Sequence, residues 1–99
     1  MKVTVRPYLF LRDALGKKEI ILDLAKGATV SDLLEALRRE YGLTDRIESG
    51  RHILQLLEGG EPVGLIILID GGNIRQKQGT ATKLHDGAVV SLFPPAAGG

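Results

Sequence analysis

The end of the chain holds the residues whose types and order suit a chemical role. The pattern predicts a strand that stops at Phe93, and the chain then ends in Pro94, Pro95, Ala96, Ala97, Gly98 and Gly99. Prolines cannot continue a strand ladder because they lack the backbone donor, and they favour an extended conformation that rises about 3.1 Å per residue. Such a tail reaches on the order of 15–19 Å beyond the fold, and glycines without a Cβ can enter a narrow channel.

The carboxylate of Gly99 is the group in this tail that can react. A terminal carboxylate is ionised at neutral pH and is therefore a poor electrophile. Adenylation by ATP would activate it, because attack on the α-phosphate gives an acyl-adenylate from which a sulfur donor or an amine can displace AMP. In this interpretation the tail supplies the reacting group and the access, and a partner enzyme uses ATP and supplies catalysis.

The sequence offers no pattern for other kinds of chemical site. The glycine pairs at 59–60 and 71–72 match neither the Walker nor the dinucleotide-binding pattern, and no serine stands in a nucleophile elbow. The chain has no cysteine, which excludes disulfides, thiolate metal sites and a cysteine nucleophile. His52 and His85 lack metal-ligand spacing, so we predict no metal site. We also expect no bound cofactor and no enzymatic activity of the chain alone.

Composition limits the classes of protein and of partner. The chain has 99 residues, of which 43% are hydrophobic and 25% are charged, as expected for one small globular domain. Its formal net charge is +1 and it has no basic stripe, which argues against nucleic-acid binding. No signal peptide opens the sequence, and the longest apolar run, 65–69, is far too short to span a membrane. These features predict a cytoplasmic protein without a membrane partner.

Periodicity predicts the first elements that must position the tail. Residues 2–6 alternate as a half-buried strand in which Val3 and Val5 share one face. A short helical turn is predicted over 10–14, and residues 19–24 fit a second strand.

The clearest helix signal follows. Thr29 is typical of a helix N-cap, Asp32 stands in the first turn, and Gly42 occupies the position of a C-cap. A helix over 30–41 is therefore predicted, with one apolar stripe made of Val30, Leu33, Leu34, Leu37 and Tyr41.

The second half of the chain predicts fewer regular elements. We expect an irregular connection over 44–57, a strand over 63–69 that is buried on both faces, and a short edge strand at 74–76. A last strand is expected over 88–93. With one main helix to cover a mixed sheet of four to five strands, the expected class is a two-layer α+β fold.

The last fourteen residues, from Asp86 to Gly99, resemble the ending of MoaD, the small subunit of molybdopterin synthase. That family typically ends in an Asp-Gly turn, an apolar strand, Phe-Pro-Pro, two variable residues and Gly-Gly. The rest of the chain agrees more loosely, in the order and length of its elements. The resemblance implies a β-grasp, ubiquitin-like domain over 1–93 and an extended tail over 94–99.

The resemblance also implies partners and a reaction. A MoeB-like enzyme of the ubiquitin-activating type would adenylate Gly99, with Gly98 beside it, and the adenylate would become a thiocarboxylate. In MoaD that sulfur passes to the pterin of the molybdenum or tungsten cofactor, in a complex with the large subunit of the synthase. Residues 46–62 make this chain longer than a minimal MoaD and could alter the choice of partner.

Relatives with similar endings leave other outcomes open. Some serve thiamine synthesis, cysteine synthesis or tRNA thiolation. Others, the small archaeal modifier proteins and the ubiquitin-related modifier, are joined to lysines of proteins. The alternatives to a sulfur carrier are therefore a protein modifier, which needs the same activation, and a β-grasp binding module with an inert tail.

Two aromatic residues predict where a partner docks. If Val90 and Leu92 join the core, Phe93 points away from the helix, and Tyr8 has the same outward parity in the first strand. The first and last strands of a β-grasp sheet are neighbours, so the two rings should lie close together on an open face. Exposed aromatic residues are enriched at partner surfaces. We therefore predict partner contacts at Tyr8, Phe93, Pro94, Pro95, Ala96 and Ala97.

Overall fold

The chain folds as a sheet with one long helix across it, and the computed structural model describes residues 1–95 apart from the side chain of Ser49. The strands are β1 (Lys2–Pro7), β2 (Ile20–Asp23), β3 (Arg46–Ser49), β4 (His52–Gln55), β5 (Ile66–Ile69), β6 (Gly72–Asn73) and β7 (Val89–Phe93). The α-helices are α1 (Phe10–Leu15) and α2 (Val30–Tyr41), and short 3-10 turns cover Ile74–Gln76 and Gly79–Ala81. No helix of this described part is both long and apolar enough to cross a membrane.

The first and last of these strands lie side by side in the main sheet. The strand order is β2-β1-β7-β5-β6, and β1 pairs with β7 in parallel while the other neighbours run antiparallel. The register places Thr4 opposite Val89 and Pro7 opposite Leu92. This mixed five-stranded sheet with one main helix confirms the predicted α+β class and the β-grasp fold.

One face of the sheet and the apolar stripe of α2 form the core. Alternation along β1 turns Val3 and Val5 inward, and both are fully buried, as are Val90 and Leu92 of β7. Leu37 of α2 is fully buried on the helix side of the same core. Burial of one such side chain contributes about 1.5–3 kcal/mol. This packing fixes the two central strands, and with them the point from which the tail leaves.

Both helices begin or end where the sequence predicts. Thr29 Oγ1 accepts a hydrogen bond from the Asp32 N–H at 3.3 Å, and the Asp32 carboxylate accepts one from the Thr29 N–H at 2.8 Å. This capping box starts α2, and Gly42, in the left-handed region with φ of 74°, ends it. The turn predicted over 10–14 is α1, which ends at Gly16.

The strand predicted over 63–69 is shorter and is buried on one face only. β5 begins at Ile66, which is 43% exposed, whereas Ile67 and Ile69 are buried. The prediction of burial on both faces is wrong because the helix covers only one side of the sheet. The open side therefore carries apolar residues of β5 that a two-sided core would have enclosed.

Residues 74–76 do not form the short edge strand that we predicted. The edge is β6, and the chain then enters a 3-10 turn. Asn73 causes this change, because its Oδ1 accepts a hydrogen bond from the Arg75 N–H at 2.9 Å and so caps the turn. Ile74 is the apolar residue that suggested a strand, and in the turn its side chain is buried in the hydrophobic core of the domain.

Regular structure also occurs within 44–57, where we predicted an irregular connection. β3 and β4 pair as an antiparallel hairpin outside the main sheet, and Gly50 turns the chain with φ of 60°. The fully buried Leu56 and Leu57 follow, and their N–H groups donate to the Asp45 carbonyl oxygen at 2.7 and 3.1 Å. All four side chains of β4 are exposed or half-buried, so the hairpin carries only a weak hydrophobic pattern.

Candidate partner-binding surface

The rings of Tyr8 and Phe93 stack at the place where the tail leaves the sheet. Their centroids are 4.5 Å apart and their planes differ by 6°. The parallel pairing of β1 with β7 brings them together, because the Tyr8 N–H continues the ladder by donating to the Leu92 carbonyl oxygen at 3.0 Å. Both side chains are half-buried. The predicted proximity is confirmed, and contact with a partner stays a prediction.

The two prolines form a fixed base for the tail. Pro94 is buried and Pro95 is half-buried, so both belong to the folded surface rather than to a free extension. A groove of about 520 Å³, here called the tail-base groove, is lined by Tyr8, Leu9, Phe10, Arg12, Asp13, Pro94 and Pro95. The other predicted site residues lie outside the described residues; they are Ala96, Ala97, Gly98 and Gly99.

The open face of the sheet extends the aromatic pair with aliphatic side chains. The antiparallel register of β5 and β7 places Ile66 opposite Phe93 and Leu68 opposite Ser91. Ile66 is 43% exposed and Leu68 is half-buried. Sequence reasoning missed both residues because it assigned β5 to the interior. The signal that could have found them is the single helix, which cannot cover two faces.

Leu9 is an exposed apolar residue in a strained conformation. Its φ is 54° and its ψ is −127°, which match the first central position of a type II′ turn, where glycine is usual. The Leu11 N–H donates to the Tyr8 carbonyl oxygen at 3.1 Å and closes this turn. Such a conformation costs on the order of 1–3 kcal/mol in a residue other than glycine. Leu9 is nevertheless 69% exposed and lines the tail-base groove.

A polar contact anchors the start of β7, the strand that carries the tail. Asp70 Oδ1 accepts a hydrogen bond from the Val89 N–H at 3.0 Å, and Asp70 Oδ2 lies 2.6 Å from His85 Nε2. The Val89 hydrogen bond, followed by the His85 contact, lowers the pKa of Asp70. The hydrogen bond to Asp70 in turn raises the pKa of His85. His85 is therefore an exposed structural partner of Asp70.

The structure assembles no other chemical site within residues 1–95. No group of three or more His, Asp or Glu side chains in this range could hold a metal ion. With Ser49 left aside, no polar or charged residue in this range is buried, so these residues include no desolvated acid or base of the kind that catalysis uses.

Comparison with known proteins identifies the family. The sequence model of the ThiS family matches residues 10–99, which include the stacked Phe93, the proline base and the glycines. The chain belongs to the ThiS family. This ThiS-family chain is thus a ubiquitin-like protein of the sulfur carrier and modifier group, whose members are small proteins rather than enzymes and work with adenylating enzymes and sulfur acceptors.

Several relatives of this ThiS-family chain match over its whole length. It is 37% identical over 101 residues to small archaeal modifier protein 3 of Haloferax volcanii, and each chain is covered completely. A solution structure of a Haloferax volcanii protein is 38% identical with a TM-score of 0.77, covering all of this chain and 87% of that one. Small archaeal modifier protein 1 of Methanosarcina acetivorans is 28% identical with a TM-score of 0.72, covering 99% and 96%.

Proposed function

We propose that this protein is a sulfur carrier whose Gly99 carboxylate is adenylated by a MoeB-like enzyme and then converted to a thiocarboxylate. The observation that carries the proposal is the stacked Tyr8–Phe93 pair above a packed proline base, in a ThiS-family chain that ends in two glycines. Because the reaction consumes ATP in the partner enzyme, we place the protein in the cytoplasm. The chain itself needs no bound cofactor.

The reaction balances in two steps. The Gly99 carboxylate oxygen attacks the α-phosphorus of ATP; an O–P bond forms, the bond between the α- and β-phosphates breaks, and pyrophosphate leaves. Hydrosulfide, delivered by a sulfur donor, then attacks the acyl carbon. A C–S bond forms, the bond to AMP breaks, and one proton is released. The ionised tail is unreactive until the first step, so activation by the partner controls the second.

Each part of the surface has a role in this reaction. Tyr8 and Phe93, with Ile66 beside them, form an apolar face that the adenylating enzyme can cover. Pro94 and Pro95 pack on the folded surface directly before the residues that carry the reacting carboxylate. Ala96, Ala97 and Gly98 present small side chains or none, which suits a narrow approach to the nucleotide.

The sulfur acceptor is proposed from the resemblance to MoaD alone. The acceptor there is the pterin of the molybdenum or tungsten cofactor, held by the large subunit of molybdopterin synthase. Thiamine, cysteine and tRNA thiolation are the alternative destinations. A complex with a large synthase subunit from the same organism would support the pterin as the acceptor.

A second function is protein modification. The relative named small archaeal modifier protein 3, which is 37% identical over the full length of both chains, favours it. In this reaction a lysine amine of a target protein attacks the acyl carbon of activated Gly99, a C–N bond forms, and AMP leaves. The same activation serves both functions, so one protein can perform both.

Intact mass spectrometry tests the carrier function. The full chain and a version without Gly98 and Gly99 are incubated with the adenylating enzyme, ATP and a sulfur donor. The expected result is a mass increase equal to replacement of one oxygen by sulfur, located at Gly99 and absent from the shortened chain. If an active enzyme yields neither an adenylate nor a thiocarboxylate, the carrier function is excluded, and a β-grasp binding module with an inert tail is the remaining interpretation. Cellular adducts that disappear with the two glycines would establish the modifier function.

A further inference from the structure

A second groove lies beside the tail-base groove, next to α1 and β3. Its volume is about 440 Å³, and it is lined by Phe10, Asp13, Ala14, Ile47 and Glu48. Phe10 and Ile47 are half-buried and provide apolar walls, whereas Asp13 and Glu48 are exposed. No ion pair within residues 1–95 includes either carboxylate. The groove is therefore an apolar channel with negative charge on its rim.

The two grooves form one continuous surface. Phe10 and Asp13 line both of them, and the tail-base groove starts at Pro94 and Pro95, where the tail leaves the fold. An enzyme that holds the tail must therefore lie over the start of this surface. The far end is made by the β3–β4 hairpin, whose Ile47 and Glu48 line the second groove.

Leu9 lies on the same surface with two energetically unfavourable properties, an exposed apolar side chain and a strained backbone. Its side chain is 69% exposed, and its backbone has the φ of 54° and ψ of −127° that glycine adopts more freely. Neither property stabilises the isolated domain. Both have a purpose if a partner buries the leucine, because a strained residue held at a defined position is pre-organised for contact.

We infer that the surface from Leu9 to the β3–β4 hairpin is a second docking site for the adenylating enzyme. It takes a segment of that enzyme in which a cationic side chain is flanked by apolar ones. The cationic group lies between Asp13 and Glu48. Its aliphatic stem lies along Phe10 and Ile47, as the stems of Lys and Arg do on apolar surfaces. An apolar neighbour in the segment covers Leu9. This inference rests on the proposed function.

Charge and shape together favour this occupant. Two carboxylates beside apolar walls attract a Lys or Arg and repel an acidic segment, so they set both partner choice and register. Arg12, Lys17 and Lys18 line other grooves that Asp13 also borders, but none of these three cations lines the acidic groove itself. A purely apolar segment would leave both carboxylates partly desolvated without a partner, which is unfavourable.

Exchange between ATP and pyrophosphate, measured with the adenylating enzyme of the same organism, tests the inference. The proteins compared are the wild type, Leu9→Gly, Asp13→Asn/Glu48→Gln and the control Glu35→Gln. Glu35 is also exposed and unpaired within residues 1–95, but it lines a groove with Leu24. The Leu24 N–H donates a hydrogen bond to the Met1 carbonyl oxygen, so the groove that Glu35 lines lies near the end of β1 opposite the tail.

The expected changes lie in KM for the carrier protein. KM rises about five- to tenfold for Leu9→Gly and for the double variant, with kcat unchanged, because docking rather than chemistry is weakened. The increase for the double variant shrinks as salt is raised, since salt screens the charges. Glu35→Gln behaves as the wild type. The melting temperature of Leu9→Gly stays equal or rises, because glycine relieves the strain; a structural leucine would lower it.

Each outcome separates the inference from the proposed function. Exchange with the wild type but equal KM values in all four proteins overturns the second docking site and leaves the carrier function intact. Absence of exchange with the wild type overturns both. If Leu9→Gly melts at a lower temperature, the double variant and its salt dependence decide, because its side chains are exposed and unpaired within the described residues.

Discussion

Phe93 lies parallel to Tyr8 with a ring separation of 4.5 Å, although the two residues belong to opposite ends of the chain. The stack sits on the open face of the sheet, beside Ile66, and both rings are half-buried. A buried structural pair would be enclosed by the core, whereas this pair leaves part of each ring accessible. Partner contact is the role that this arrangement favours.

We expect Tyr8→Ala/Phe93→Ala to weaken adenylation without unfolding the domain. KM for the carrier protein should rise at least about tenfold, a loss on the order of 1.4 kcal/mol, because aromatic anchors dominate interfaces. The far-ultraviolet circular dichroism spectrum should stay that of the wild type, since neither ring belongs to the buried core. An unchanged KM would show that the enzyme does not use the stack.

The His85–Asp70 contact should make stability depend on pH. The pKa of His85 is raised above 6.5, so its contribution is fully present below pH 6.5 and is lost as pH rises through the folded-state value. The pKa of Asp70 is lowered below 3.8, so its contribution is present above pH 3.8 and is lost on acidification through its folded-state value. The contact is therefore strongest between these limits.

Urea unfolding of the wild type and His85→Gln at several pH values between 5 and 9 measures this dependence. The difference in free energy of unfolding should be largest near the acidic end and should shrink towards the alkaline end. It should be small throughout, because both side chains are exposed to solvent. A difference that grows with pH would contradict the assigned direction.

Loss of the capping box should destabilise α2 and the domain. Thr29→Ala removes the acceptor for the Asp32 N–H and should lower the free energy of unfolding by about 0.5–2 kcal/mol. Ser31→Ala, an exposed change in the same first turn, is the control and should be neutral or slightly stabilising. Equal stability of the two variants in urea would mean that the cap is not needed.

Gly64 should be intolerant of any side chain. Its N–H donates to the Leu56 carbonyl oxygen at 3.1 Å, and an added Cβ would overlap the backbone carbonyl oxygen of Gln55. Gly64→Ala should therefore cost about 1–3 kcal/mol of stability and displace β4 from the chain that leads into β5. Relative to the wild type, amide hydrogen exchange in Gly64→Ala should accelerate more in the β3–β4 hairpin than in α2. A Gly64→Ala variant as stable as the wild type would contradict the close approach of Gly64 to the Gln55 backbone.

The elements that the sequence predicted are those with local signals. α2 was predictable because Thr29, Asp32 and Gly42 mark its ends and an apolar stripe runs between them. The Tyr8–Phe93 contact was predictable because strand parity and a paired first and last strand determine it. The ends of α2 follow from spacing along the chain, whereas the Tyr8–Phe93 contact also needs the β-grasp strand order that the resemblance to MoaD implies.

The features that the sequence did not predict depend on contacts between distant segments. None of the described side chains of β3 and β4 is buried, so the hairpin has a weak pattern. The one-sided burial of β5 follows from where the single helix lies. Leu9 stands where glycine or asparagine would have marked a turn, so its type gave no warning. The residues that line the two grooves meet only in the folded chain.

The parallel pairing of β1 with β7 has a consequence for folding kinetics. These strands can pair only when the chain has closed a loop that holds every other element, and such long-range closure is slow compared with helix or hairpin formation. We therefore expect the aromatic stack and the proline base to form late, with the native state. An enzyme that binds through the stack will bind folded chains and not unfolded ones, so only folded chains will be adenylated.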